Sequence, residues 1–76
     1  MVRAYILIEM AAGHSRDLVD LLKSLEEVRD VLRVTGPFDV IVVFEADTVD
    51  AISNRVADHV HSQSGVIRTT TCVAIA

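Results

Sequence analysis

Val34-Thr35-Gly36-Pro37-Phe38-Asp39, running on into Val40-Ile41-Val42-Val43-Phe44-Glu45-Ala46, is the stretch that decides the fold. Gly36 reaches backbone angles closed to other residues, while Pro37 fixes one φ and removes an N–H donor. The pair predicts a hairpin connection, with Phe38 and Asp39 leading out of it into a strand. In that strand Phe38, Val40, Val42, Phe44 and Ala46 share one face, and Ile41 and Val43 lie on the other between Asp39 and Glu45. Both faces are apolar, so the strand is expected at the centre of a sheet with both sides covered.

Working backward, Val28 to Thr35 alternates as a second strand. Val28, Asp30, Leu32 and Val34 fall on one face and Arg29, Val31, Arg33 and Thr35 on the other. Its charge suits a sheet edge, where it discourages wrong pairing. Before it, Leu18, Leu21, Leu22 and Leu25 form one apolar helical stripe opposite Arg16, Asp20, Lys23 and Glu27. Ser15 is a candidate N-cap after the connection 11–14, and Glu26 and Glu27 oppose the helix dipole where the helix should stop. Val2 to Met10 opens the chain with period-two alternation, its even positions all apolar.

Working forward, Asp47 is the expected N-cap of a second helix, with Asp50 standing in for the capping-box acid. Val49, Ile52, Val56 and Val60 recur at three- and four-residue steps, with His59 and His61 in the last turn. Ser62-Gln63-Ser64-Gly65 ends that helix, and Val66 to Ala76 reads as the last strand. The order β-α-β-β-α-β predicts a ferredoxin-like α+β domain over residues 1–76. Right-handed crossovers put two helices on one face of a four-stranded antiparallel sheet, with the first and third strands central. Tyr5, Leu7, Ile41, Val43, Thr69, Thr71, Val73 and Ile75 are then expected on the open face, an apolar surface that predicts a sheet-to-sheet dimer.

Composition points the same way. A chain of 76 residues buries only about 60% of its unfolded surface, yet 51% of its residues are hydrophobic. One cysteine excludes an internal disulfide, so association is the remaining way to hide apolar surface. The net charge of −4 and the absence of a basic stripe argue against nucleic acid or anionic membrane as a direct partner. With no export signal, no spanning run and a lone thiol, a cytoplasmic protein is expected.

No residue set suggests catalysis or a cofactor. His59 and His61 diverge by about 200° on a helix, and His14 and Cys72 lie in other elements, so no metal site is expected. Cys72 is expected to be a buried, inert thiol. Gly13, Gly36 and Gly65 stand alone, which leaves no phosphate loop. Asp39 differs, because a carboxylate at the mouth of a buried strand must find donors or a cation. Capping the turn and contacting a ligand are both open to it. Thr69, Thr70 and Thr71 can be strand formers or ligand contacts.

Thr35-Gly36-Pro37-Phe38-Asp39 resembles the Thr-Gly-x-Tyr/Phe-Asp motif of the Lrp/AsnC regulators, and Gly65-Val66-Ile67-Arg68-Thr69-Thr70-Thr71 resembles their Gly-Val-x-Arg-Thr-x-Thr strand. The resemblance covers essentially the whole chain and only the effector-binding, or RAM, domain of that family. It implies a non-enzymatic module that binds an amino acid or related metabolite, dimerises through its sheet and often assembles into an octamer. It nominates Gly36, Phe38, Asp39, Thr69 and Thr71 for the effector, with Asp39 holding the amino group and backbone N–H groups the carboxylate. Pro37 and Phe38 replace the more usual polar residue and Tyr. Met1 begins the first strand, which leaves no helix-turn-helix, so the resemblance implies a stand-alone RAM protein that senses alone or with a full-length regulator. The competing readings are a small dimeric α+β barrel enzyme, which needs a histidine facing an enclosed cavity, and a purely structural subunit.

Overall fold

The computed structural model describes residues 1–11 and 15–75, without the side chains of Ser15 and Ala57. The connection 12–14 and the capping role of Ser15 lie outside the described residues. Strands β1 (Val2–Met10), β2 (Val28–Arg33), β3 (Val40–Ala46) and β4 (Val66–Val73) alternate with helices α1 (Ser15–Lys23) and α2 (Val49–Arg55). They form one antiparallel sheet in the order β2-β3-β1-β4. This is the ferredoxin-like arrangement, with β1 and β3 central.

The two central strands behave as their period-two pattern dictates. Ala4, Ile6, Ile8 and Met10 of β1 and Val40, Val42, Phe44 and Ala46 of β3 are buried beneath the helices. Leu18, Val19 and Leu22 of α1 close over them, as do Ile52 of α2 and Val56 and Val60 beyond it. Burying each of the Val, Leu, Ile, Met and Phe side chains among them contributes about 1.5–3 kcal/mol. The helix after Arg55 does not stay α: Val56–Val60 is a π-helical turn, closed by His61 N–H donating to Val56 O at 3.0 Å. Ile52, Val56 and Val60 are four apart, a step that overshoots the 3.6-residue α-turn. Widening the turn to the i→i+5 bond keeps Val60 over the core. Thr48, not Asp47, is the N-cap of α2, because its hydroxyl accepts from Ala51 N–H at 3.1 Å.

The edge strands depart from simple alternation, and both do so at a bulge. In β2, Val28 opposes Phe44 and Asp30 opposes Val43, so Arg29 is an extra residue and the faces exchange after it. Val28 and Val31 therefore both pack on the core, while Leu32 is exposed on the open face. In β4, Val66 opposes Met10 but Arg68 opposes Glu9, making Ile67 the extra residue. The expected open-face positions Thr69, Thr71 and Val73 are corrected by this register. They oppose Ile8, Ile6 and Ala4 and so lie on the helix side. Cys72, opposite Tyr5, is exposed on the open face instead of buried. β4 also ends at Val73, short of Ile75.

Candidate functional site

The turn between β2 and β3 is built by three backbone commitments. Val34 N–H donates to Asp39 O at 2.9 Å, and Asp39 N–H donates to Ile8 O at 2.9 Å. Gly36 takes φ 124° with open space around its Cα, a conformation strained for any side chain. Asp39 does not cap its own turn. Its Oδ2 accepts Met10 N–H at 2.8 Å, reaching across to the end of β1 where the β4 bulge breaks the ladder. The carboxylate thus satisfies an N–H at the irregularity, and its Oδ1 makes no hydrogen bond among the described residues.

Arg33, Val34, Thr35 and Asp39 line a surface depression of about 310 Å³ beside this turn. Gly36 and Phe38 belong to the same turn, with Phe38 half-buried. Thr69 and Thr71 do not join it. Ile8 is flanked by Val40 on one side and Thr69 on the other, so β1 separates Thr69 from the β3 end. The Thr69 hydroxyl lies 2.6 Å from His61 Nε2, and Thr71 is exposed. Within one chain, the nominated effector residues form two separate groups. Sequence reasoning passed over Arg33, although a basic residue two positions before the Thr-Gly pair was the available signal.

The opposite end of the sheet carries a larger depression, about 440 Å³, lined by residues that include Glu27, Arg29 and Glu45. The charges of these three residues are paired. Arg3 Nε donates to Glu45 Oε2 at 2.8 Å and Arg29 Nε to Glu45 Oε1 at 3.1 Å. The Arg3 bond, reinforced by Arg29, holds the Glu45 carboxyl below the usual carboxylate range, and the same bond raises Arg3. Glu27 is lowered by its own backbone N–H and by Arg55, whose Nε donates to Glu27 Oε2 at 2.8 Å. Arg55 Nη1 lies 3.0 Å from His59 Nε2, which ties His59 to this network on the helix side. No cluster of three metal-ligating side chains occurs among the described residues.

The open face of the sheet combines the rows Leu32–Ile41–Leu7–Thr70 and Asp30–Val43–Tyr5–Cys72. Arg3 and Glu45 border it at one end, and Glu9, paired with Arg68 at 2.9 Å, at the other. Tyr5, Leu7, Ile41 and Val43 therefore share one apolar band with charged margins, and Val73 is not part of it.

Residues 3–76 match the family model described as the Lrp/AsnC ligand binding domain. No curated protein sequence matches the chain. Among solved structures, FFRP-DM1 is 32% identical, with a TM-score of 0.92 over 99% of this chain and 100% of its own. TTHA0845 from Thermus thermophilus is 29% identical, with a TM-score of 0.94 over 100% of this chain and 95% of its own. The transcriptional regulator NMB0573 from Neisseria meningitidis, solved as its L-Met complex, shares the fold at 19% identity. Its TM-score is 0.87 over 99% of this chain and 50% of its own.

Proposed function

The chain belongs to the Lrp/AsnC ligand-binding domain family, whose match spans residues 3–76, and from that premise we propose that it is an amino-acid sensor acting through its assembly. The observation that carries this reading is Asp39. Its Oδ2 is committed to Met10 N–H, which fixes the side chain, while Oδ1 is left for an ammonium group beside the 310 Å³ depression. A small-ligand pocket usually encloses roughly 300–1,000 Å³ and buries most of its occupant. An open depression at the low end of that range needs a second wall, which a neighbouring subunit supplies.

Assembly begins with a homodimer packed through the open face, burying Tyr5, Leu7, Ile41 and Val43 together with Leu32 and Cys72. Dimers then associate, up to an octamer, so that the turn around Gly36, Phe38 and Asp39 meets Thr69 and Thr71 of another subunit. An effector held in that cleft favours the assembly that completes it, through its differential affinity for the two states. The chain acts alone or co-assembles with a full-length regulator that supplies the DNA contact. L-Methionine is the first probe, since a regulator of the same fold was solved with it.

The test is a thermal-shift screen against each proteinogenic amino acid, paired with light scattering of the eluted oligomer. Ligand at a hundred times its Kd stabilises by about 2.7 kcal/mol. For a domain of this length that is roughly 10–20 °C in midpoint. A rise with one or a few amino acids, accompanied by a larger oligomer, supports the reading. A flat screen on well-folded protein refutes it.

A further inference from the structure

Arg33 differs from the four arginines that are paired with carboxylates. Arg3 and Arg29 are committed to Glu45, Arg55 to Glu27 and Arg68 to Glu9. The Arg33 side chain forms no ion pair or hydrogen bond among the described residues, yet Arg33 lines the same depression as Asp39. Two residues of opposite charge therefore line one depression of about 310 Å³ without pairing with each other. At the end of β2, opposite buried Val40, Arg33 is anchored by the ladder at its backbone and exposed at its side chain.

The charge pattern is that of a receptor for a dipolar ion. Asp39 Oδ1 offers an acceptor to an ammonium, and a guanidinium matches a carboxylate with two parallel N–H···O bonds. Thr35, Gly36 and Phe38 N–H groups have no backbone partner among the described residues, but they are neutral donors. Among the lining residues Arg33 is the cation and Asp39 the anion, so this chain's wall of the site carries no net charge. A ligand bearing one of each sign leaves nothing uncompensated on this wall, whereas a second charge on its side chain would find no partner there.

We propose that Arg33 is the carboxylate anchor of the effector site, and that its presence beside Asp39 in the lining of one depression selects net-neutral α-amino acids over their charged counterparts. This rests on the amino-acid-sensor reading and adds to it a specificity residue and a ligand class.

The experiment is calorimetric titration of wild type, Arg33→Gln, Arg33→Lys and Asp39→Asn. The titrants are the strongest binder among the proteinogenic amino acids, its decarboxylated amine, L-lysine and L-glutamate. Wild type is expected to bind a net-neutral amino acid and to reject the amine. Arg33→Gln should weaken the amino acid roughly 10- to 100-fold, the scale of a charged hydrogen bond, while binding the amine no more weakly than wild type does. Arg33→Lys should fall between, because it keeps the charge and loses the fork. Unliganded urea midpoints of the Arg33 variants should match wild type, since the side chain is exposed. Equal affinity of wild type and Arg33→Gln overturns the proposal alone and leaves the sensor standing. Preferential binding of L-lysine or L-glutamate overturns the ligand class. Failure of wild type to bind any amino acid removes the sensor reading and this proposal with it.

Discussion

Asp39 has two assignments, one in the fold and one in the site, and substitution separates them. Asp39→Ala deletes the acceptor of Met10 N–H, a 2.8 Å bond in a partly buried setting. Hydrogen bonds to charged groups contribute about 1.5–3 kcal/mol, and the half-buried position of Asp39 favours the lower part of that range, about 2 kcal/mol. At about 4–8 °C per kcal/mol for a domain of this length, the midpoint should fall by roughly 8–16 °C. Asp39→Asn keeps a carbonyl oxygen for Met10 and loses only the charge, so about 1 kcal/mol or less is expected. Both variants are melted by heat and by urea without effector, at one fixed protein concentration because an assembled protein melts in a concentration-dependent way. Asp39→Ala melting with wild type would refute the claim that this carboxylate secures the end of β1. If the stability order holds, Asp39→Asn is the variant with which to test the effector. Loss of response in Asp39→Ala would be confounded by loss of structure.

Four further outcomes are expected. Thr48→Ala should destabilise by about 1 kcal/mol through loss of the α2 cap, whereas Asp47→Ala should stay within about 0.5 kcal/mol; urea midpoints distinguish them. Glu45 and Glu27 have folded-state pKa values depressed below their ordinary values, led by the Arg3 bond for Glu45 and the backbone N–H for Glu27. Their stabilisation is therefore complete above the ordinary carboxylate range and is lost as pH falls through the lower folded values. The urea midpoint should decline on acidification into that range, and less steeply in Glu45→Gln; parallel curves would exclude Glu45 as a contributor. Ile41→Lys, on the apolar band, should yield monomers by light scattering while Val73→Lys, on the helix side, should not; a dimeric Ile41→Lys would sink the open-face interface. Cys72, which sits beside Tyr5 on that face, should react slowly with a thiol reagent in wild type and rapidly in Ile41→Lys.

The element order and the central strands were legible because their signals are redundant. In β1 and β3 every second residue is apolar on the helix side, so no other register buries them. The turn was equally plain, as Gly36 adopts the positive φ its identity allows. What escaped was local. Asp47 and Thr48 are both competent caps, and only the geometry at Ala51 N–H chooses between them. The π turn left a trace in the four-residue steps Ile52, Val56 and Val60, which an α-helix cannot hold on one line.

The bulges explain the rest, and they bear on the site. A bulge adds one residue without a compositional mark and exchanges every side chain beyond it between faces. In β2 the trace was the three-residue step from Val28 to Val31, which a regular strand would split between faces. In β4 the run Thr69-Thr70-Thr71 is the same residue on both faces, so composition could not report the exchange. The two extra residues, Arg29 and Ile67, fall in the two edge strands. Arg29 delivers a second cation to Glu45 at one end of the open face. The break at Ile67 faces the end of β1, where Met10 N–H is met by Asp39. The irregularity that hid the register of β4 is thus adjacent to the bond that orients Asp39. The departure from regular strand geometry and the candidate ligand contact occupy the same corner of the fold.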